Sequence, residues 1–242
     1  MPKLPVLEIF GPTIQGEGMV VGRKTMFIRT AGCDYSCLWC DSAFTWDGSA
    51  KEEITRMDAD EVLNELQKAG GENFDHVTIS GGNPALFPYL DELIGKLKAK
   101  QIEVALETQG SRWQEWFLAI DDLTISPKPP SSGMNTDWDE LDGIINQLTE
   151  NDRLNHTSLK VVIFNQQDLD YAASVHARYQ EVPFYLQVGN DDLEETDDSQ
   201  IALKLLQKYE WLVAQVMASS KLNRVRVLPQ LHALVWGNKR GV

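Results

Sequence analysis

The amino-acid sequence predicts an α/β fold built on a mostly parallel sheet. Short apolar segments alternate repeatedly with longer segments of helical periodicity, a pattern typical of strand–helix–strand units. Hydrophobic residues make up 43% of the 242 residues, which is enough for a full core. Glycine and polar residues follow several of the apolar segments, and the carboxyl ends of parallel strands are where such folds place their chemistry.

The expected elements follow one another along the chain. Strands are expected over residues 25–29, 76–80, 102–107, 123–126, 159–164, 184–187 and 225–228. Helices are expected over residues 58–69, 89–100, 138–148, 169–179 and 201–217. Asp58, with Glu61 three residues later, is typical of a capping box at the start of a helix. The last helix is expected to bury its apolar positions at helical spacing, namely Ile201, Leu205, Leu212 and Val216.

Charge and hydropathy narrow the kinds of partner. The chain has 22 Lys and Arg against 36 Asp and Glu, a net charge of −14, so we expect no nucleic-acid partner. No apolar run approaches the ~20 residues that span a bilayer, and the first residues lack the apolar stretch of a signal peptide. We therefore expect a cytoplasmic protein without membrane contact, folded as a single domain over residues 1–242. The acidic run at 191–198 is expected to be a solvated loop.

All three cysteines lie close together, as Cys33, Cys37 and Cys40. An odd number in so short a segment of a cytoplasmic protein does not suit a disulfide framework and indicates a set of metal ligands. The spacing C-x3-C-x2-C would give a [4Fe–4S] cluster three thiolates and leave one iron without a protein ligand. A radical S-adenosylmethionine (SAM) enzyme needs that open iron, because SAM chelates it before one electron cleaves a C–S bond to release a 5′-deoxyadenosyl radical.

Zinc held by three cysteines and one histidine is an alternative, and buried thiols without a metal are another. The zinc site needs a fourth ligand, usually nearby, and the first histidine in the chain is His76. The cysteine spacing follows an expected strand, and Trp39 stands within the loop. These features favour the cluster.

Two further strand ends fit the same interpretation. Gly81 and Gly82 follow the strand at 76–80 and resemble the glycine-rich loop that meets the SAM amino group in the radical SAM superfamily, although alone they indicate only a tight turn. Members usually have Glu after the glycines, and this chain has Asn83. Glu107 ends the next strand and is a candidate for the ribose or amino group of SAM. A solvent-facing carboxylate is equally common at such a position.

The N-terminal segment IFGPTIQGEG, residues 9–18, is a glycine-bracketed polar loop that could exchange hydrogen bonds with a flat heterocycle. Together with the segments at 29–33, 40–42, 126–128, 158–162 and 229–232, it resembles the 7-carboxy-7-deazaguanine synthases of the queuosine pathway. The resemblance covers nearly the whole chain. It implies a shortened radical SAM β/α barrel that works as a homodimer.

The resemblance also implies a reaction. The family converts 6-carboxy-5,6,7,8-tetrahydropterin, a small-molecule pterin substrate, to 7-carboxy-7-deazaguanine with loss of ammonia. It uses a [4Fe–4S] cluster, catalytic SAM and Mg²⁺, and a flavodoxin-type protein commonly supplies the electron.

Residue roles follow from matched positions. The pterin is expected to meet Ile14, Gln15, Gly16, Glu17, Arg29, Ser80 and His232. Among these, Arg29 would pair with the substrate carboxylate, a bidentate task for which lysine is poorly shaped. SAM is expected to meet Trp39, Gly82, Glu107, Ser126, Lys128 and Gln187. The metal ligands would be Cys33, Cys37 and Cys40 for the cluster and Ser42 for Mg²⁺, at a position where relatives usually have threonine.

Purely structural roles remain open for several of these residues. Arg29 could be a surface arginine at a strand end, Trp39 an ordinary core aromatic, His232 a structural histidine and Ser42 a turn cap. A glycyl-radical activase shares the cysteine spacing, but it docks a protein loop and has no need of Arg29. A zinc-stabilised binding protein is the alternative outside enzymes, and it would be colourless.

Overall fold

The computed structural model describes residues 2–242. Within this range nine strands form one sheet: β1 (Leu4–Ile14), β2 (Lys24–Thr30), β3 (Thr55–Met57), β4 (His76–Gly81), β5 (Glu103–Thr108), β6 (Asp122–Ile125), β7 (Thr157–Ile163), β8 (Phe184–Val188) and β9 (Val225–Leu228). Their order across the sheet is β3-β1-β2-β4-β5-β6-β7-β8-β9. The strand β1 pairs antiparallel with β2 and β3, and every pairing from β2 to β9 is parallel. The predicted α/β class with mostly parallel strands is confirmed.

Five helices lie in connections between parallel strands and a sixth follows β9: α1 (Ala59–Gly70), α2 (Leu90–Ala99), α3 (Trp138–Glu150), α4 (Gln166–Arg178), α5 (Asp198–Ala218) and α6 (Leu231–Trp236). The capping box that opens α1 is confirmed, because Asp58 accepts from the Glu61 backbone and Glu61 accepts from the Asp58 backbone. The predicted apolar positions of α5 are buried. Within residues 2–242, no helix is long and apolar enough to cross a bilayer.

The segment at residues 9–14 is not the polar loop that the sequence suggested. It forms the second half of β1, and the loop begins only at Gln15. Gly11 and Pro12 usually punctuate strands. Here the β1–β2 register shifts between Phe10 and Thr13, so the strand absorbs both residues at an irregularity.

The two faces of the sheet have different chemistry. On β7, Leu159 and Val161 belong to the hydrophobic core, whereas Lys160 and Val162 line a cavity on the opposite face. Each fully buried aliphatic side chain on the core face contributes roughly 1.5–3 kcal/mol. The helices cover that face, and the other face is left for polar side chains.

Candidate functional site

A cavity of about 480 Å³ lies over the carboxyl ends of the parallel strands. All but one of the predicted site residues line it, and the exception is Gln187. The lining residues come from β1 and the loop after it, from β2, β4, β5 and β7, from the cysteine loop after β2, from the segment after β6, and from the C-terminal segment. The sequence pattern therefore located one site, and the fold assembles it from residues far apart in the chain.

The three cysteines line one end of this cavity. Two of their sulfurs receive N–H groups: the Tyr35 backbone donates to Cys33 Sγ at 3.4 Å, and the Trp46 indole donates to Cys40 Sγ at 3.5 Å. Donors aimed at sulfur stabilise thiolate charge and tune bound iron.

Burial raises the pKa of the Cys33 thiol to about 11 and raises the pKa values of Cys37 and Cys40 as well. Because a metal binds the thiolate, loading this site must release protons, and the metal charge must replace the lost solvation. The donor set therefore fits a metal cofactor.

The spacing of the sulfurs discriminates between the candidate cofactors. Among residues 2–242, the one trio of His, Cys, Asp or Glu side chains whose ligand atoms all lie within 4.8 Å of one another is Glu17, Asp41 and His232. The three cysteine sulfurs do not all lie within that distance of one another. A single tetrahedral zinc, with Zn–S bonds of about 2.3 Å, would draw them closer than that limit. A cluster binds each thiolate through a different iron, so the wider spread suits a cluster.

The glycine loop lies directly against the cysteine loop. A β-carbon on Gly82 would come within 2.0 Å of the Gly32 carbonyl oxygen, so only glycine fits there. Asn83 is fully buried and turns away from the cavity. Its side chain bonds Asp34, Ser111, Thr108 and the Ala85 backbone. Its amide is thus occupied within the protein.

The predicted carboxylate-binding arginine is held from two sides. Arg29 Nε donates to Glu8 Oε1 at 2.5 Å, and Nη1 donates to Ser42 Oγ at 2.8 Å. The guanidinium carbon lies 5.5 Å from the ring centroids of Phe10 and Phe44. These contacts use two of the five N–H groups of the guanidinium and leave donors for a ligand.

At the other end of the cavity, two carboxylates share one buried lysine. Lys160 donates to Glu17 and, at 3.2 Å, to Glu107. Gln15 joins them, because its Nε2 donates to Glu107 Oε1 at 2.8 Å. Burial alone would raise the pKa of Glu17, but Lys160 and His232 lower it to about 2. Glu17 is therefore an ionised acceptor at neutral pH.

His232 packs against the loop that carries Glu17. Its Nδ1 lies 3.9 Å from Glu17 Oε1, and a β-carbon on Gly16 would come within 2.4 Å of the same nitrogen. Gln230 Nε2 donates to Glu17 at 3.0 Å and to Asp41 at 3.3 Å. Since Lys160 and Gln230 already donate to Glu17, its carboxylate is engaged within the protein.

The C-terminal segment lies across the cavity and contributes residues 237–242 to its lining. Asn238 Nδ2 donates to the backbone carbonyls of Asp192 and Glu195, each at 2.9 Å. Arg240 bonds Glu8 and Glu53, with its guanidinium carbon 4.1 Å from the Phe44 ring centroid. This segment joins the acidic loop at 191–198 to β1.

The predicted SAM residues are divided within the cavity, with Trp39 in the cysteine loop and Glu107 bonded to Lys160. Trp39 packs on Phe164 with ring centroids 4.8 Å apart, and its indole donates to Ser131. Lys128 Nζ donates to Ser126 Oγ at 3.3 Å. Gln187 does not line the cavity: it is fully buried on β8, opposite Val162, and neither of its amide atoms has a hydrogen-bond partner.

Sequence reasoning assigned no role to several residues that the fold brings to the site. Glu8, Asp41, Lys160, Gln230 and Arg240 all bond a predicted site residue or a neighbour of one. Lys160 gave one local signal, since it is a lysine between the apolar residues Leu159 and Val161 of an expected strand. Nothing local distinguishes Glu8 or Arg240, which meet only because the chain ends pack together.

A family model, two relatives and one solved structure indicate which proteins this chain is similar to. The radical SAM superfamily model matches residues 27–155. The 7-carboxy-7-deazaguanine synthase of Bacillus subtilis (strain 168) is 65% identical over 239 residues, covering 99% of this chain and 98% of that protein. The Bacillus cereus enzyme of the same name is 62% identical over 242 residues, covering 100% of both chains. The crystal structure of QueE from Escherichia coli superposes with a TM-score of 0.67 at 20% identity, covering 95% of both chains, and shows the shared fold.

Full-length identity of this size and a superfamily match over more than half of the chain establish the family. Membership implies a [4Fe–4S] cluster and SAM, which agrees with the wide spread of the three cysteine sulfurs in one cavity. The chain therefore belongs to the radical SAM superfamily and, within it, to the 7-carboxy-7-deazaguanine synthases.

Proposed function

We propose that this chain converts 6-carboxy-5,6,7,8-tetrahydropterin to 7-carboxy-7-deazaguanine with loss of ammonia, in the biosynthesis of queuosine and related 7-deazapurines. One observation carries the proposal: a single cavity brings the three cysteines together with the ionised Glu17 and the guanidinium of Arg29. The cluster and SAM supply the radical that begins the rearrangement. The remaining residues bind and orient the two small molecules.

The substrate has two chemically different ends, and the cavity offers a partner for each. The amino-pyrimidinone edge of a pterin carries N–H donors, which suit the carboxylate of Glu17 and the amide of Gln15. The substrate carboxylate suits the remaining N–H groups of Arg29. Ile14, Gly16, Ser80 and His232 complete the lining around the ring. These matched ends set the orientation of the ring relative to the cysteines.

SAM is proposed to lie between the cysteine loop and the strand ends. Gly82 allows the close backbone approach, Glu107, Ser126 and Lys128 offer polar contacts, and Trp39 offers an aromatic face. Gln187 is also proposed to contact SAM, and its side chain lies outside the cavity lining. A buried amide with both atoms unbonded costs free energy, and a ligand or a water molecule that reaches it would remove that cost.

Mg²⁺ is proposed to bind at Ser42. Magnesium prefers oxygen ligands and keeps several waters, so one hydroxyl together with substrate oxygens is a suitable shell. The ion would orient the substrate and balance negative charge. Ser42 Oγ now accepts from Arg29 and donates to Asp41 at 3.1 Å, so both neighbours would have to adjust when the ion binds.

Residues 1–242 are proposed to form one domain that works as a homodimer and receives its electron from a flavodoxin-type protein in the cytoplasm. The support is the family resemblance, together with the continuous nine-stranded sheet of the described residues. Sedimentation velocity of the anaerobic holoenzyme tests the dimer.

The function is tested by anaerobic incubation of the reconstituted chain with carboxytetrahydropterin, SAM, Mg²⁺ and a reductant. We expect a product with the mass of 7-carboxy-7-deazaguanine, release of ammonia and SAM recovered without net loss. Omitting the pterin is the control for uncoupled SAM cleavage. Cleavage of SAM without conversion of the pterin would overturn the proposal and favour an activase of glycyl-radical proteins.

A further inference from the structure

The buried lysine that Glu17 and Glu107 share has no assigned contact with the pterin or with SAM. We propose that Lys160 is a positioning residue that holds the substrate loop Gln15–Glu17 in its binding conformation. This inference rests on the proposed function, because it concerns the loop assigned to the pterin. Lys160 need not touch the substrate, since it acts through Glu17 and Glu107.

The contacts form a closed ring of hydrogen bonds. Gln15 Nε2 donates to one oxygen of Glu107 at 2.8 Å, and Lys160 donates to the other oxygen at 3.2 Å. Lys160 also donates to Glu17. The Glu17 backbone N–H then donates to Gln15 Oε1 at 3.1 Å, which completes the ring. The loop is thereby fixed at two points to β5 and β7.

Lys160 occupies a position that could not hold a lysine without such partners. Its side chain is only 3% exposed. A buried ammonium needs paired charges and hydrogen bonds to offset its lost hydration. The strand fixes its direction, because the neighbours Leu159 and Val161 point into the hydrophobic core. Lys160 therefore points into the cavity beneath the substrate loop.

Removing the cation would leave two buried carboxylates without their shared partner. Other charged and titratable groups also face Glu17: His232 at 3.9 Å, and Asp41 through Gln230. Asp41 is a further acid, so without Lys160 the surroundings favour uptake of a proton by Glu17. A protonated Glu17 would be a poorer acceptor for the N–H groups of the ligand.

The test measures equilibrium binding of the stable product, 7-carboxy-7-deazaguanine, to cluster-loaded enzyme with SAM and without reductant. In Lys160→Met we expect the product Kd at pH 6.5 to rise about tenfold or more relative to wild type, since the partner of a buried charge is lost. The ratio should shrink toward pH 9, where Glu17 is ionised again.

A matched control exists on the surface. Lys96 also bridges two carboxylates, Asp60 at 2.6 Å and Glu92 at 3.1 Å, but it lies on α2 far from the cavity. Lys96→Met should leave the product Kd within twofold of wild type at both pH values. A general effect of removing a lysine is thereby separated from an effect at the site.

If Lys160→Met does not fold, the double variant Lys160→Met/Glu107→Gln is measured instead. The second substitution removes the repulsion between the two carboxylates. Weaker binding of the product is still expected, because Glu17 has lost its fixed partner. A product Kd within twofold of wild type at both pH values, in either folded variant, would overturn the proposal. So would a loss of affinity in Lys160→Met that is the same at pH 6.5 and pH 9. Failure of the proposed function is distinct, because wild-type enzyme would then not turn over the pterin.

Discussion

The side-chain amide of Asn83 donates a hydrogen bond to Asp34 Oδ1 at 2.9 Å, joining the glycine loop to the residue that follows Cys33. The same nitrogen donates to Ser111 at 3.0 Å, while Oδ1 accepts from Thr108 at 2.8 Å. Asn83 is fully buried, and both atoms of its amide are used. An amide suits this place because it must donate on one side and accept on the other.

Asn83→Asp is therefore expected to destabilise the protein. The new carboxylate would face Asp34 and lose both donated bonds, which costs about 2–4 kcal/mol for a buried charge without a partner. Chemical denaturation at pH 7 measures the loss, and the loss should diminish as pH falls and the carboxyls protonate. Ser111→Ala, which removes one acceptor of the same amide, should cost only about 0.5–1.5 kcal/mol. Equal stability of Asn83→Asp and wild type would contradict the assigned contacts.

Cys37→Ala is expected to abolish SAM cleavage, because the cluster would lose one of its three thiolates. Iron content and visible absorption after anaerobic reconstitution should fall together with activity. Ser36→Ala changes the neighbouring exposed residue and should leave all three measurements unchanged. Near-normal turnover by the cysteine variant would show that the cluster is held differently.

Arg29→Ala is expected to weaken substrate binding while SAM binding remains. Loss of one partner of a buried carboxylate pair costs about 2–5 kcal/mol, which corresponds to roughly 30-fold to several thousandfold in Kd. Arg29→Lys keeps the positive charge but not the planar guanidinium with its paired N–H donors, and should recover only part of the affinity. A pterin analogue without the carboxylate serves as control. If Arg29→Ala weakens binding of that analogue, relative to wild type, by the same factor as it weakens binding of the substrate, Arg29 does not recognise the carboxylate.

Ser42→Ala should lower turnover and flatten its dependence on Mg²⁺, with cluster content and SAM binding unchanged. Ser42→Thr retains the oxygen and adds a β-methyl that restricts the side chain, so its Mg²⁺ response should be at least as steep as that of wild type. Titration of activity with Mg²⁺ compares the three proteins. An alanine variant with the wild-type curve would place the ion elsewhere and leave Ser42 as a turn residue.

The ionisation of Glu17 makes the free energy of unfolding depend on pH in the acid range. Its pKa is lowered to about 2 in the folded protein, against a usual value of 4.5. The ion pair therefore contributes fully above about pH 4.5, and its contribution is lost as pH falls toward 2. The difference amounts to at most about 3 kcal/mol. We expect Glu17→Gln to show a shallower fall of unfolding free energy between pH 5 and pH 3 than wild type. Identical slopes would mean that Glu17 is not paired with Lys160 in solution.

Local patterns predicted most of the fold. The strand at 225–228 and the start of α1 at the Asp58 cap appear where the sequence placed them. These positions depend on alternation and on capping chemistry between near neighbours. The short helix α6 was missed because six residues carry too little periodicity. The strands β1 and β3 were both missed, and in β1 only the pairing with β2 overrides the punctuation of Gly11 and Pro12.

The site shows the same division. The cysteine spacing indicates a cluster from local chemistry, whereas the roles of Arg29 and Glu17 were implied by the family resemblance. The fold brings all of these residues to one cavity. The ring through Lys160 could not be predicted, because Gln15, Glu107 and Lys160 lie on three separate strands or their ends. Strand register and strand order bring these residues together, and no short segment of the sequence specifies either.

The alternation along β7 separates two kinds of mutational effect. Polar substitutions at Leu159, Val161 and Ile163 would remove core packing and reduce the amount of folded protein in a cell. Substitutions at Lys160 and Val162 would alter the cavity and reduce activity per folded molecule. A saturation library scored separately for abundance and for activity should therefore show losses that switch between the two scores with a period of two residues along this strand.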